Sequence, residues 1–290
     1  MMMNPDRFEY TTPQDTYFNY CWSPYQPVAP VENKYRPVTL LFHSFDWAGI
    51  DVGAFQVVQS LREAIGWFRT VWGVKRLGDR LAWEFYFYDY KRRERDVSIT
   101  RVLRAIRPFV RCDVPINESL PYFMFSIDLS DDVVSGSRDL DVVHLYVGNP
   151  GSTVSSGIAY ALRSESTTLE NFYFFFDAAR QLKEAAAKIA CSAQFDATKV
   201  DINRILRPEL RTCHTICIAN KPRQDTVYFS GVNVDQLMFF LKTLAYPPAI
   251  VGFVEENRAK LDHLLYDVGF DYAACGDQLR IEKSGFYGVF

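Results

Sequence analysis

The stretch TCHTICIANKPRQDTVYFSG, residues 212–231, decides the fold. Polar and apolar residues alternate from Thr212 to Ala219 and again from Asp225 to Gly231, on either side of the turn sequence NKPRQ. Alternation with period two predicts a strand with one drier and one wetter face, and a short polar turn between two such runs predicts an antiparallel pair. Adjacent antiparallel strands exclude a doubly wound parallel sheet.

The end of the chain repeats this pattern. The runs His263 to Tyr272 and Gln278 to Phe290 flank the turn sequence AACGD. Between the two hairpins, Val234 to Leu244 has helical spacing and follows Asn233, a residue type suited to the N-cap. The region from Cys213 to Phe290 is therefore predicted to contain two antiparallel strand pairs separated by a helix.

The preceding part of the chain also interleaves strands and helices. The further predicted strands are Val38–His43, Leu81–Tyr90, Tyr122–Leu129 and Leu140–Val147, and the further predicted helices are Val52–Val71, Ser98–Arg107, Ala178–Ala193 and Ile250–Leu261. Periodicity leaves Gly157 to Phe176 open between strand and helix. Residues 1–37 are rich in proline, which predicts an extended N-terminal arm, and residues 38–290 are predicted to form a single domain. Strand pairs that alternate with helices predict an α+β fold, an antiparallel β-barrel surrounded by helices.

The composition excludes several classes of function. A formal net charge of −3 argues against the broad basic surface that nucleic acids require. Neither a signal peptide nor a long apolar run is apparent, so we expect a cytoplasmic protein without membrane contact. The six cysteines are scattered, which indicates free thiols. Cys213 and Cys217 lie about 13 Å apart if both are on one strand, too far to share a zinc ion with His214.

The aromatic content of 16%, with 23 Phe and 17 Tyr, is high. Because tyrosine combines an apolar ring with a polar tip, this content indicates either a lined cavity or a Phe-rich core, and composition leaves both open. The sequence LAWEFYFYDY, residues 81–90, alternates between an apolar face of Trp83, Phe85 and Phe87 and a wetter face of Glu84, Tyr86 and Tyr88. Such a wetter face either lines a barrel lumen or is simply solvated.

Two hairpin segments resemble the ABBA prenyltransferases, and among them most closely the cyanobactin peptide prenyltransferases. The segment Phe125–Pro150, which begins FSID and ends VVHLYVGNP, resembles a strand pair that carries Lys-x-Tyr in that family, and it has His144 and Tyr146 at that place. The segment ANKPRQDTVYFSG resembles a second family hairpin. There Lys221 lies near the place of a diphosphate-binding lysine, and Tyr228 at that of a tyrosine that shields the allyl cation.

The ending LRIEKSGFYGVF resembles the closing strand of the same family and puts Arg280 near another diphosphate contact. Glu84 lies on the first long strand, where aromatic-polyketide members have a metal-binding carboxylate and peptide-modifying members a basic residue. The resemblance covers roughly Leu81 to Phe290, in short patches. It implies a barrel of ten antiparallel strands ringed by helices, the ABBA or PT barrel.

The activity implied is transfer of a dimethylallyl or geranyl group from its diphosphate to a peptide, as in cyanobactin-like RiPP biosynthesis, or to an aromatic small molecule. Mg²⁺ is among the groups that can neutralise the leaving diphosphate. The implied site residues are Glu84 and His144 as catalytic groups, Lys221, Arg223 and Arg280 at the diphosphate, and Tyr86, Tyr146, Tyr160, Tyr228, Tyr266 and Tyr287 around the allyl cation and substrate. Two alternatives stay open: a non-catalytic barrel of the same fold that binds a peptide or hydrophobic ligand, and a different small-molecule enzyme that uses Glu84 and His144 without a diphosphate.

Overall fold

A closed antiparallel barrel is the centre of the molecule. The computed structural model describes residues 7–89, 94–149 and 155–290, apart from the side chains of Cys21 and Asn149. Within these ranges the strands are β1 Thr70–Leu77, β2 Arg80–Tyr88, β3 Met124–Leu129, β4 Val143–Asn149, β5 Ser155–Leu162, β6 Thr167–Asp177, β7 Thr215–Asn220, β8 Asp225–Val232, β9 Tyr266–Cys275 and β10 Gln278–Val289. Each strand pairs with the next along the chain, and β1 pairs with β10 to close the barrel. Closure leaves no unpaired sheet edge among these strands.

Helices cover the outside of the barrel. They are α1 Val38–Ala48, α2 Gly53–Ile65, α3 Ile99–Ile106, α4 Asp131–Val134, α5 Leu182–Ala190, α6 Val234–Thr243, α7 Pro248–Glu256 and α8 Arg258–Leu261. α6 begins at a capping box in which Asn233 and Gln236 bond to each other's backbone N–H groups, which satisfies two N–H groups that a helix start leaves unpaired. Within the described ranges, no helix combines the length and the apolar character that crossing a membrane requires.

The alternation of each strand separates two environments. Trp83, Phe85 and Phe87 of β2 point outward and are buried in the main core between barrel and helices. Tyr86 and Tyr88 point inward and belong to a second cluster of buried residues inside the lumen. The wetter face of Glu84, Tyr86 and Tyr88 therefore lines a lumen. Two layers of side chains, one on each side of a single sheet, account for the high aromatic content.

The predicted fold class is confirmed, as are the two strand pairs and the intervening helix of the carboxyl-terminal third. The strand predicted at Val38–His43 is wrong, because these residues form the first turns of α1. Leu40, Leu41 and Phe45 are fully buried there at helical spacing, and Pro37 precedes the helix, where its missing N–H costs nothing. The open segment Gly157–Phe176 falls within β5 and β6.

The helix predicted at Val52–Val71 is too long. α2 ends at Ile65, because Gly66 adopts a φ of 96° that other residues rarely take. Val71 belongs to β1, a strand that the sequence analysis did not identify. This omission matters, because β1 carries a lysine that faces the lumen.

Residues 7–37, which we call the N-terminal segment, include the short 3₁₀ turn Tyr20–Trp22 and contain no α-helix. Ion pairs hold the segment: Arg36 binds Asp15 at 2.7 Å, and Arg62 of α2 binds Glu9 at 2.6 Å. The division into an arm at 1–37 and a barrel domain at 38–290 stays a prediction.

Candidate functional site

A cavity of about 760 Å³ opens at one end of the lumen. Residues at the start of β6, in the β7–β8 turn and at the start of β10 surround it, and we call this end the mouth. Its charged lining residues are Lys75, Glu84, Asp128, His144, Glu170, Lys221, Arg223, Asp271, Arg280, Glu282 and Lys283. Its tyrosines are Tyr86, Tyr146, Tyr173 and Tyr228. A volume of this size is within the usual range of sites for small ligands.

Five tyrosine rings form a continuous wall below the mouth. We call Tyr86, Tyr146, Tyr173, Tyr228 and Tyr287 the tyrosine cage. Neighbouring ring centroids are 5.8 to 6.2 Å apart, in tilted or edge-to-face contacts. These are favourable geometries for aromatic pairs.

Two glycines make room for cage rings. Gly73 pairs with Tyr287 across β1 and β10, and a Cβ built on Gly73 would lie 2.5 Å from Cε1 of that ring. Gly269 pairs with Tyr228 across β8 and β9, and a Cβ there would overlap the Tyr228 ring. The rings therefore lie flat against bare backbone, which keeps the cage compact and the lumen open.

The cage presents neutral phenols. Burial raises the pKa of Tyr86 and Tyr287 well above the usual value, and the carboxylate of Glu84 raises both further. Burial does the same for Tyr146 and Tyr228. Neutral tyrosine rings have electron-rich faces that attract cations.

Most charges at the mouth are paired with one another. The Lys75 ammonium lies 2.6 Å from the Asp128 carboxylate and 3.4 Å from that of Glu84. Burial would lower the pKa of Lys75, but these two carboxylates raise it above its usual value. The Lys221 ammonium lies 3.0 Å from Asp271, whose carboxylate also accepts a hydrogen bond from Thr226 Oγ1 at 2.5 Å.

Lys283 differs from these lysines. Its side chain lines the cavity, yet it has no ion pair or hydrogen bond with any residue in the described ranges. Burial lowers its pKa, and the neighbouring ammonium of Lys75 lowers it further. Arg223 on the β7–β8 turn likewise has no carboxylate partner in the part of the chain that the structure describes. The mouth therefore offers two basic side chains that form no ion pair with another described residue.

His144 and Glu170 form a pair at the cavity wall, with 2.8 Å between Nδ1 and Oε2. Burial would lower the pKa of His144, but the hydrogen bond to Glu170 and the charge of Asp128 outweigh it and raise the pKa. No described residue binds Nε2. The second ring nitrogen is therefore available to a ligand.

The structure brings most of the predicted site residues together. Those that line the cavity or belong to the cage are Glu84, Tyr86, His144, Tyr146, Lys221, Arg223, Tyr228, Arg280 and Tyr287. Tyr160 and Tyr266 do not line the lumen, which corrects the sequence analysis. Tyr160 pairs with the outward residue Leu145 and packs against the outer core, and Tyr266 is fully buried in that core. The catalytic and binding roles of the residues stay predictions.

Several lumen residues were missed by sequence reasoning: Lys75, Asp128, Glu170, Tyr173, Asp271 and Lys283. The alternation of Asp267, Gly269 and Asp271 in β9 was a usable signal, since all three share a face. No such signal existed for Lys283. The pairing of β9 with β10 shifts between Ile281 and Ser284, and this bulge lets both Arg280 and Lys283 face the cavity although they are an odd number of residues apart.

The carboxylates of the cavity do not fit a protein-held Mg²⁺. Glu84 and Asp128 share the Lys75 ammonium, and Asp271 holds Lys221, so a cation already lies against each of them. No group of three or more His, Cys, Asp or Glu side chains within the described ranges is arranged to hold a metal ion. We therefore assign no step to a metal held by these side chains.

Comparison with known proteins connects this barrel to solved structures. No protein-family model matches the chain, and no curated protein matches it in sequence. The structure of PriB in a binary complex with product diphosphate superposes with a TM-score of 0.50 and 10% identity, covering 86% of this chain and 94% of that chain. AnaPT from Neosartorya fischeri superposes with a TM-score of 0.50 and 11% identity, covering 85% and 90%.

Both of these neighbours are prenyltransferases. Their likeness, together with the closed barrel of ten described strands ringed by helices, shows that this chain has the ABBA, or PT-barrel, fold. The resemblance stated from the sequence is thus confirmed for the fold.

Proposed function

We propose that this protein is a prenyltransferase that moves a dimethylallyl or geranyl group from its diphosphate to a peptide or to an aromatic small molecule. One observation carries the proposal: basic side chains that form no ion pair among the described residues lie at the mouth of a lumen whose next layer is a cage of neutral tyrosine rings. An allylic diphosphate has the matching polarity, because it ionises into a diphosphate anion and a delocalised allyl cation. The fold of the neighbours supports the same reaction class.

In this proposal the diphosphate binds at the mouth, against Lys283 and Arg223. Lys221 and Arg280 lie beside them, but each has a carboxylate partner, Asp271 at 3.0 Å and Glu282 at 3.2 Å, that a phosphate would have to replace or share. The bond between the allylic carbon and the bridging oxygen breaks, and both electrons leave with the diphosphate. Fixed cations stabilise this developing negative charge, each contact to a charged group contributing about 1.5–3 kcal/mol.

The allyl cation then lies within the tyrosine cage. Ring faces attract a cation by about 0.5–2 kcal/mol each when water is excluded. The negative charge of the Glu84 carboxylate raises the pKa of several cage tyrosines, Tyr86 and Tyr287 among them. The same negative charge favours a cation within the cage. The cage therefore stabilises the cation and shields it from water.

The acceptor completes the reaction. A nucleophilic carbon, nitrogen or oxygen of the acceptor bonds to the allylic carbon and gives up its proton to Nε2 of His144. Glu170 holds the other ring nitrogen and raises the pKa of His144, which suits a base that works near neutral pH. One prenyl diphosphate and one acceptor thus give the prenylated acceptor, diphosphate and one proton.

A cyanobactin-like peptide is the acceptor class that the sequence resemblance favours. An aromatic amino acid or other aromatic small molecule is the second acceptor to be tried. The open mouth supports either, because the start of β6 presents Leu169 with 46% of its surface exposed beside Glu170. An acceptor side chain could pack there while its backbone stays in solvent.

The test combines transfer with binding. The protein is incubated with dimethylallyl or geranyl diphosphate and with aromatic amino acids and linear and cyclic peptides, and prenylated products are identified by mass spectrometry. Calorimetry with non-hydrolysable prenyl thiodiphosphates measures donor binding separately. We expect donor binding and at least one prenylated product. A wild-type protein that binds no prenyl thiodiphosphate contradicts the proposal and favours the non-catalytic barrel.

A further inference from the structure

The lumen is closed at the end opposite the mouth by a residue of the N-terminal segment. Tyr20 is 7% exposed, and its ring centroid lies 5.9 Å from that of Tyr86 and 5.9 Å from that of Tyr287. Against Tyr228 it is nearly parallel, with 6.2 Å between centroids and 7° between planes. Tyr20 therefore contacts three of the five cage rings from the side that faces away from the mouth.

The barrel wall fixes the backbone at this position. The Tyr20 N–H donates to the buried Asp267 carboxylate on β9, and the other carboxylate oxygen accepts from Gly231 N–H at 3.1 Å. The neighbouring Asn19 side chain lies 3.3 Å from the His214 ring nitrogen Nδ1. Hydrogen bonds to two residues outside the segment, Asp267 and His214, therefore fix the chain at Tyr20, and packing against the cage holds its ring.

A small apolar void lies next to the Tyr20 ring. It measures about 20 Å³, enough for about one water molecule, and Met124, Gly157 and Phe175 are among its lining residues. Tyr146 and Tyr173 line both this void and the mouth cavity. Removal of the Tyr20 ring would therefore enlarge this void, which lies against the same two cage rings that border the mouth cavity, and would lengthen the space below the cage.

We propose that Tyr20 sets the length of the prenyl chain that the lumen accepts; this inference rests on the proposed function. A donor whose diphosphate lies at the mouth directs its hydrocarbon chain into the cage and toward the closed end. The Tyr20 ring then meets the end of the chain. A donor longer by one five-carbon unit must displace a ring that stacks on Tyr228 and is anchored through its backbone, so the native protein prefers the shorter donor.

The experiment is a competition among donors. Wild type, Tyr20→Ala and Tyr20→Phe are given equal concentrations of dimethylallyl, geranyl and farnesyl diphosphate, and the ratios of kcat/KM are obtained from the products. The matched control is Tyr25→Ala, in the same segment. The Tyr25 ring packs on Tyr17 with 5.9 Å between centroids, and its hydroxyl accepts from Leu265 N–H at 2.9 Å. Loss of this side chain should loosen the N-terminal segment without changing a residue that contacts the cage.

We expect Tyr20→Ala to raise the ratio of longer to shorter donor by roughly tenfold or more, since an apolar pocket discriminates by about that factor for small changes in size. Tyr20→Phe keeps the ring and should retain the native ratio, as should Tyr25→Ala. Calorimetry with thiodiphosphates of the three lengths should give the same order of affinities without turnover. If Tyr20→Ala does not fold, Tyr20→Leu, which keeps an apolar side chain in place, is expected to shift the ratio in the same direction.

Three results would overturn the inference. The first is an active, folded Tyr20→Ala with the native donor ratio. The second is an equal shift in Tyr25→Ala, which would assign the effect to docking of the whole segment and not to the Tyr20 ring. The third is a wild type that neither binds nor transfers any of the donors, which removes the proposed function and this inference together. An active wild type with an unchanged Tyr20→Ala removes the inference alone.

Discussion

Asp271 and Asp267 lie four residues apart on β9 and both face the lumen, but they have opposite electrostatic environments. Burial would raise the pKa of Asp271, yet the ammonium groups of Lys221 and Lys283 hold it below its usual value. Among the described residues, the donors to Asp267 are neutral, and burial raises its pKa to about 7. The mouth compensates buried charge with opposite charge, whereas the closed end compensates it only with hydrogen bonds.

This difference separates two tasks within one lumen. The basic side chains at the mouth can exchange one anionic partner for another, so an anion that enters can replace a carboxylate such as Asp271 beside Lys221. Lys283 can bind such an anion without first breaking an ion pair. The closed end has aromatic rings and a carboxylate that is bound to the backbone of the N-terminal segment. It therefore limits the shape of the lumen and excludes water from it. Variants at each end should therefore give different kinds of change.

The largest expected effect is at the closed end, in Asp267→Asn. Because the folded-state pKa of Asp267 is raised from 3.8 to about 7, the folded protein binds more protons than the unfolded chain between these values. Stability from this group therefore falls as pH rises from about 4 to 7, by up to about 4 kcal/mol in all. Because asparagine does not titrate, the unfolding free energy of Asp267→Asn should not show this decrease between pH 4 and pH 7.

Urea unfolding of wild type and Asp267→Asn between pH 4 and pH 8 measures the effect as the difference between their unfolding free energies. Burial lowers the pKa of His263 to about 4, so His263 makes stability rise with pH over part of the same range. Both proteins contain His263, and its contribution therefore cancels when their unfolding free energies are subtracted. A constant difference across this range would show that Asp267 is not the group that distinguishes the two ends.

At the mouth, Lys283→Ala should weaken the binding of a prenyl thiodiphosphate by about 10- to 150-fold. This range corresponds to loss of one charge-assisted contact of about 1.5–3 kcal/mol. Unfolding free energy should stay the same or rise, because Lys283 forms no ion pair or hydrogen bond with a described residue and its pKa is lowered in the folded state. Calorimetry and urea unfolding measure the two quantities.

Lys199→Ala is the matched control for Lys283→Ala. Lys199 is exposed and its ammonium lies 3.1 Å from Asp196, and it does not line the cavity. Donor affinity should not change in this variant. Equal affinities of Lys283→Ala and wild type would remove Lys283 from the diphosphate site.

Between the two ends, Gly73→Ala tests whether the cage depends on bare backbone. The added methyl would lie 2.5 Å from the Tyr287 ring, so the ring must move, at about 1–3 kcal/mol for overpacking. Gly252→Ala in α7 is the control, since its new Cβ meets no atom within 4 Å and alanine favours a helix by up to about 1 kcal/mol. Thermal unfolding should lower Tm for the first variant and raise it for the second; similar shifts in both would mean that the cage can rearrange freely.

The sequence predicted those parts of the fold that depend on neighbouring residues. The hairpin at residues 212–231 was predicted because alternation and turn both lie within one stretch. The Val38–His43 segment was misassigned because a short, mostly apolar run fits a buried strand and a buried helix equally well. β1 was missed because its residues follow directly on the amphipathic pattern of α2.

The same division holds for the site. Lys221 and Tyr228 were predictable from their hairpin, and Arg280 from the closing strand. Lys283 was not, because the bulge in β10 changes which residues face inward. Tyr20 was not predictable either, since its place in the lumen depends on contacts with strands more than fifty residues away in the chain, for which local periodicity holds no information.

The smallest expected effect is in Glu170→Gln, where the shape of the pair with His144 is kept and the charge is lost. The hydrogen bond to Glu170 is the largest influence that raises the pKa of His144 against burial, so the variant should lower that pKa. Since His144 must be neutral to accept a proton, the acid limb of the pH profile of kcat/KM should move to lower pH. The rate near neutral pH should fall by less than about tenfold, because the base remains in place. Glu165→Gln on the same hairpin, where Glu165 is exposed, makes the same chemical change outside the cavity and should keep the native profile. An acid limb that stays in place in Glu170→Gln would remove His144 as the base and leave Glu84 as the carboxylate in the lumen to test next.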